Sequence, residues 1–222
     1  FRRVLFRSGI KSENFILNWK QIGLDIDGEA ANDKSGTRVA LSGDGSRVAI
    51  GNGTSSGLVQ IFEWDGSIWS QVGEDIDGRT NGDLTDSAVS LSNDGELVAI
   101  GLKYGSSTRG HVQINRWDGS AWNQVGERIE GEALGDQNGS SISLAGEVIR
   151  VAMGAPYNDG NGTSSGHARV FEWDGTIWNQ LGGDIDGEAT SDYSGFSVSL
   201  STDGHRLAIG ATEDRKSTRL NS

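Results

Sequence analysis

The sequence predicts an all-β fold, a fragment of a β-propeller made of four-stranded antiparallel blades with about 50–56 residues to the repeat. Three observations predict it. A Trp-led segment recurs four times, Asp-Gly and Asn-Gly pairs punctuate the chain, and no stretch sustains a 3.6-residue apolar period. Trp19-Lys-Gln-Ile-Gly-Leu-Asp-Ile-Asp-Gly returns as Trp69-Ser-Gln-Val-Gly-Glu-Asp-Ile-Asp-Gly and as Trp178-Asn-Gln-Leu-Gly-Gly-Asp-Ile-Asp-Gly. Between the last two stands an altered copy, Trp122-Asn-Gln-Val-Gly-Glu-Arg-Ile-Glu-Gly. The intervals between these tryptophans are 50, 53 and 56 residues, and the last repeat stops short.

Within one repeat the strands follow in order. Val39 to Ser42 alternates as a half-buried strand does, and Gly43-Asp-Gly-Ser46 turns the chain into Arg47-Val-Ala-Ile-Gly51. A loop of variable length comes next, Gly51 to Gly57 in one repeat and six residues longer, Gly154 to Gly166, in another. Length variation confined to one loop marks a surface connection between fixed strands. The insertions of the second and third repeats are therefore expected in one equivalent exposed loop. The third strand, Leu58 to Trp64, is apolar on both faces, which suits a sheet packed between other sheets. Read as a two-residue turn, Asp65-Gly66 places Phe62 opposite Trp69, and by the same reading Phe171 opposite Trp178. The ten Asp-Gly and four Asn-Gly pairs supply such turns throughout. The small residue of the second strand (Ala49, Ala99, Ala152, Ala208) points to a crowded position near an axis of convergence.

The two ends read as foreign. One codon choice for residues 1–8 is TTCAGACGTGTGCTCTTCCGATCT, whose reverse complement, read one nucleotide along, encodes the Asp-Arg-Lys-Ser-Thr-Arg-Leu of residues 214–220. One oligonucleotide translated in both orientations is expected of a sequencing adapter, so residues 1–8 and 214–222 are set apart from blades over 9–213. Six basic residues (Arg2, Arg3, Arg7, Arg215, Lys216, Arg219) and Asp214 fall in these ends. Without them 13 basic and 30 acidic residues remain of the 19 and 31, a net charge of −17 rather than −12. Such a surface repels nucleic-acid phosphates and anionic lipid, and it attracts cations. No apolar run approaches the ~18 residues that cross a membrane as a helix, so neither nucleic acid nor membrane insertion is expected. With no cysteine there is no disulfide framework and no thiol chemistry.

Tyr193-Ser-Gly-Phe-Ser-Val-Ser-Leu leading into Arg206-Leu-Ala-Ile-Gly-Ala211, together with Val151-Ala-Met-Gly-Ala-Pro156, resembles the FG-GAP repeats of integrin alpha-subunit propellers. Gly154-Ala155-Pro156 matches the second half of that family's motif, and Gly195-Phe196 holds its first half in reversed order. The resemblance implies a seven-bladed extracellular adhesion propeller with calcium between the first and second strands of several blades. Here those connections are Ser42 to Ser46, Ser92 to Glu96 and Ser201 to His205, each with a single carboxylate in the turn itself. Calcium takes six to eight oxygens, so that site is not carried over.

Another acidic run recurs. Asp25, Asp27, Glu29 and Asp33 have counterparts in Asp184, Asp186, Glu188 and Asp192, while Arg79 and Arg128 interrupt the intervening copies. Alternate carboxylates from a strand end, with a returning acid, suit a hard cation, and calcium is the ion such a set takes. The same run also reads as a solvated turn between blades. The three histidines, His111, His167 and His205, read as surface polar residues at differing repeat positions, without zinc spacing. No nucleophile elbow and no phosphate-cradling glycine loop followed by a helix is present.

The expectation is a non-enzymatic extracellular or cell-surface binding module of integrin-alpha-like type, taking a protein or glycan ligand through its loops. A carbohydrate-binding, lectin-like propeller would use loop aromatics, for which Tyr104, Tyr157 and Tyr193 are the candidates. A propeller glycosidase or lyase would need one blade to depart from the repeat with its own carboxylate or histidine cluster.

Overall fold

The computed structural model describes residues 7–10, 18–53, 58–77, 88–103 and 109–213. Arg79, Tyr104 and the insertion of the second repeat lie outside the described residues. Among the described residues all regular structure is β, in three full blades flanked by two two-stranded sheets.

A first sheet pairs β1 (Arg7–Ile10) with β2 (Asn18–Gln21). The first full blade is a meander of β3 (Ser35–Leu41), β4 (Arg47–Asn52), β5 (Leu58–Trp64) and β6 (Trp69–Gln71), with β7 (Ile76–Asp77) returning to pair with β5. The second repeats this with β8 (Ala88–Leu91), β9 (Leu97–Leu102), β10 (His111–Trp117), β11 (Trp122–Gln124) and β12 (Ile129–Glu130). The third is β13 (Ser141–Ala145), β14 (Arg150–Ala155), β15 (His167–Trp173), β16 (Trp178–Gln180) and β17 (Ile185–Asp186). β18 (Ser194–Leu200) and β19 (Leu207–Ala211) form the last, two-stranded sheet. The fourth strand of each full blade is thus broken into two short pieces. The first strands β3, β8, β13 and β18 pack side by side, which gives the radial order of a propeller.

Apolar side chains on both faces of each blade build the core between blades. Val48 and Ile50 pack with Ile26 on one side of the first blade, while Ala49, Val59 and Ile61 pack with Val98 and Ile100 on the other. Ala49, Ala99 and Ala152 are fully buried there, as their small size requires, whereas Ala208 in the last sheet is exposed.

The hairpin between the third and fourth strands differs from the expected two-residue turn. Asp65 Oδ1 accepts from the backbone N–H groups of Ser67 and Ile68 at 2.7 and 2.8 Å, so the loop spans four residues, Asp65 to Ile68. The register moves accordingly. Trp64 stands opposite Trp69, Phe62 opposite Gln71 and Phe171 opposite Gln180, so the aromatic pairs are Trp64–Trp69 and Trp173–Trp178. Their ring centroids are 5.3 Å apart at 45° and 50°, and Trp117–Trp122 repeats the arrangement.

The Trp pairs of the second and third full blades are clasped by the blade before them. Trp122 Nε1 donates to the carbonyl of Val72 at 2.8 Å, and Trp178 Nε1 to that of Val125 at 2.9 Å. Gly73 and Gly126 follow those carbonyls with positive φ, and a Cβ on Gly126 would lie 2.4 Å from Trp173 Cζ3. Only glycine serves there, because the turn needs the left-handed region and the ring occupies the space of a side chain.

Candidate functional site

An antiparallel meander brings the loops after second strands and the connectors after fourth strands to the same end of the molecule. The other end carries tight turns, and all of them among the full blades and the last sheet except the one between β13 and β14 are stapled by one aspartate. Asp44, Asp94 and Asp203 accept from a serine hydroxyl and a backbone N–H, and Asp65, Asp118 and Asp174 from two backbone N–H groups. Variation is concentrated at the first end, where a scaffold displays functional residues. The described insertion, Pro156 to Gly166, is a loop at this end, with Tyr157 and Asp159 exposed and Pro156 and Asn158 buried beneath it. Its base is held by Asn158, which donates to Asp136 Oδ2 at 2.9 Å and accepts from the Gly160 N–H at 2.8 Å.

At the junction of the second and third blades His167 opens β15 with both ring nitrogens buried and without a hydrogen-bond partner. Three carboxylates surround its Nδ1: Asp184 Oδ2 at 3.9 Å, Glu132 Oε2 at 4.0 Å and Asp186 Oδ1 at 4.0 Å. Glu132 comes from the connector of the preceding blade, and Asp184 and Asp186 from the broken fourth strand of the third blade. Gln180 donates to Asp184 Oδ1 at 2.7 Å and so turns Oδ2 toward the histidine. Arg169, buried two residues after His167, lies 3.5 Å from Glu132 Oε1 and donates to the carbonyl of Glu130 at 2.9 Å. Burial holds the His167 imidazole below its ordinary pKa, the Arg169 charge adds to this, and the acids oppose it. Glu132, His167 and Asp184 are the grouping among the described residues that offers three possible metal ligands.

The repeats supply internal controls. At the junction before the first full blade Leu58 stands where His167 does, and the counterparts of Glu132 and Asp184 are Glu29 and Asp75. There Gln60 Nε2 ties the two acids together, at 2.9 Å from Glu29 and 3.1 Å from Asp75. At the next junction His111 fills the histidine position, but Arg128 replaces the Asp184 equivalent and pairs with Gln113 at 3.1 Å. One junction alone among those described joins histidine to these carboxylates.

The two four-acid runs do not assemble as self-contained loops. Asp25 takes the amide of Gln21, Glu29 that of Gln60, and Asp33 accepts from the N–H groups of Ala30 and Ser35. Asp27 is exposed. In the second run Asp184 and Asp186 converge on His167, Glu188 stays exposed, and Asp192 is buried capping Ala189. The grouping thus crosses repeats, and its Glu132 and His167 belong to neither run. His111 and His167 are corrected from surface polar residues to equivalent, buried openings of the third strand.

A groove of about 520 Å³ adjoins the cluster, sharing Glu132 with it. Its walls are the connector Glu132 to Asp136 and the inserted loop, including Tyr157, Asp159, Thr163 and Ser164. Tyr157 meets Tyr193 edge-on at 5.4 Å. No lysine or arginine lines the groove.

No protein-family model and no curated protein sequence matches the chain. Solved structures share its fold. A protein named as a 6-phosphogluconolactonase from Bacteroides uniformis aligns over 93% of this chain and 51% of its own, at 12% identity and TM-score 0.57. One so named from Bacteroides fragilis covers 77% and 40% at 12% identity and 0.52, and Saccharomyces cerevisiae Sqt1 covers 80% and 43% at 12% identity and 0.52. The chain spans about half the length of these proteins or less. They establish the propeller-type fold.

The likeness to integrin FG-GAP repeats is corrected by the same comparisons, since these neighbours are propellers of other kinds. The residues that carried it have a packing role. A Cβ on Gly154 would lie 1.9 Å from the carbonyl oxygen of Gly195, so both glycines serve close approach of adjacent blades, and Phe196 is exposed. The reading as a non-enzymatic adhesion module is given up with the resemblance, and two of the three neighbours carry an enzyme's name.

Proposed function

We propose that the protein is a propeller hydrolase that opens a neutral lactone of a polyhydroxy acid at the junction of its second and third blades. The observation that carries this reading is the buried, unpartnered His167 ringed by Glu132, Asp184 and Asp186, of which Glu132 also lines the groove. The lactonase names of two structural neighbours support the reaction class. Charge argues for the neutral substrate: Glu132, Asp136 and Asp159 line the groove, and a phosphate ~4 Å from a carboxylate is repelled by about 1 kcal/mol or more. Thr163, Ser164 and Tyr157 offer hydroxyl groups to a polyol.

In the reaction, water adds to the lactone carbonyl carbon and gives up a proton to Asp186, whose side chain is 40% exposed. The tetrahedral adduct then expels the ring oxygen, which takes back that proton from the carboxyl group as it leaves, yielding the open hydroxy acid. Ring opening of glucono-δ-lactone and of its 6-phosphate, followed against the spontaneous rate, tests the reading. The neutral lactone is expected to react about tenfold faster or better, and Asp186→Asn to lower the rate about 100-fold. A wild-type rate equal to the spontaneous one refutes the proposal.

A further inference from the structure

We infer that Glu132, His167 and Asp184, with Asp186 beside them, form a binding site for a divalent transition cation of the manganese–zinc class. The inference stands on geometry and holds independently of the lactone reading.

The separations are the first argument. At 3.9–4.0 Å, His167 Nδ1 is too far from the carboxylate oxygens for a hydrogen bond. These separations exceed by about half an ångström or more the ~3.0–3.4 Å between neighbouring ligands of one such ion, a gap that small rotations of the partly exposed carboxylates close. One donor atom each of Glu132, His167 and Asp184 lies within 4.8 Å of the others. A point about 2.1–2.5 Å from all three therefore exists, which is the range of metal–ligand bonds.

The state of the histidine is the second. A buried polar atom is normally paired, and His167 Nδ1 faces three oxygens without bonding any of them. A cation placed between Nδ1 and these oxygens would give the buried nitrogen the partner it lacks. The charges agree: three carboxylates with Arg169 on Glu132 leave a local charge of −2, which a divalent ion neutralises. Gln180 orients Asp184 as an outer-shell partner orients a ligand.

Ligand chemistry selects the ion. Imidazole suits zinc and the other later transition ions, carboxylates suit manganese and also bind zinc, and calcium takes oxygen almost throughout. The calcium expected from the acidic runs thus gives way to a transition cation once histidine enters the set. Side chains 29–44% exposed on the three acids leave positions open to water or substrate, as catalytic metals require. A zinc ion held there would lower the pKa of its bound water toward neutrality and so supply the hydrolase with its nucleophile.

The chain, stripped with chelator, is titrated calorimetrically with manganese chloride, zinc chloride and calcium chloride in turn. One transition ion is expected to bind per chain. His167→Leu, which installs the residue that the first blade carries at Leu58, should weaken binding about 100-fold with circular dichroism unchanged, and Asp184→Asn should weaken it about tenfold or more. Asp75→Asn, at the junction without histidine, should leave it unaltered. Electron spin-echo spectroscopy of the manganese complex should show nitrogen coupling from one imidazole, absent in His167→Leu. Absence of transition-metal binding overturns the inference. So does affinity unaffected by His167→Leu, or calcium bound at least as tightly as manganese. Metal binding without lactone hydrolysis would leave this site standing and refute the proposed reaction alone.

Discussion

Replacing Trp178 tests the clasp between blades. Three contributions are lost in Trp178→Ala. The Nε1 hydrogen bond to the Val125 carbonyl, 2.9 Å long, contributes about 1 kcal/mol net. The pair with Trp173, at 5.3 Å and 50°, contributes about 0.5–1.5 kcal/mol beyond burial. Full burial would bring Trp→Ala to about 3–5 kcal/mol, but Trp178 is only half-buried, so about 2–4 kcal/mol in all is expected. Trp178→Phe keeps a ring against Trp173 and loses chiefly the hydrogen bond, so it should cost about 1–1.5 kcal/mol. Urea unfolding followed by far-UV circular dichroism measures both. With a slope of about 2 kcal/mol/M, the alanine variant should unfold about 1–2 M earlier at unchanged slope. Equal losses in the two variants would show that the indole N–H, not the ring packing, sets the whole effect. A loss below about 0.5 kcal/mol in Trp178→Ala would refute the clasp itself.

Two further outcomes follow from the turns. Gly126→Ala forces a methyl group to within 2.4 Å of Trp173 Cζ3 at a residue with φ +65°, whereas Gly175→Ala at φ +99° meets nothing within 4 Å. Gly126→Ala should therefore lower Tm several degrees more than Gly175→Ala, and equal shifts would mean that backbone strain alone matters. Asp118 accepts from the Ala121 N–H and from the Ser120 hydroxyl and N–H, which lowers its pKa to about 2 from an ordinary 3.8. A depressed carboxylate stabilises the fold above its unfolded pKa, so this contribution is complete above about pH 4 and fades as pH falls toward 2. Asp118→Asn keeps the acceptor oxygen and should flatten that part of the curve of Tm between pH 5 and 2; parallel curves would contradict the assignment.

The fold was legible because every repeat states it again: strand lengths, turn pairs and a third strand apolar on both faces all agree with one architecture. The hairpin register was not, because Asp65-Gly66 is a two-residue turn by composition. The decisive bonds, from the Ser67 and Ile68 N–H groups to the Asp65 side chain, lengthen the loop and exchange Phe62 for Trp64 opposite Trp69. The site was half visible. Asp184 and Asp186 stood out as recurring acids, but Glu132 lies a repeat earlier and only ring geometry brings it to them. His167 carried a signal of its own. Aligning Leu58, His111 and His167 as first residues of the third strand marks a position where histidine interrupts an apolar series, beside acids in one junction and Arg128 in another.

The clasp also bears on how such a protein can grow. A single repeat carries both halves of it: the tryptophan pair that enters the previous blade's clasp, and, four residues beyond the second tryptophan, the glycine that receives the next pair. A duplicated repeat arrives as plug and socket together and fits between any two neighbours without a newly evolved contact. Coupling of this kind reaches only to the adjacent unit, so a defect in one clasp loosens two blades and leaves the rest of the array intact.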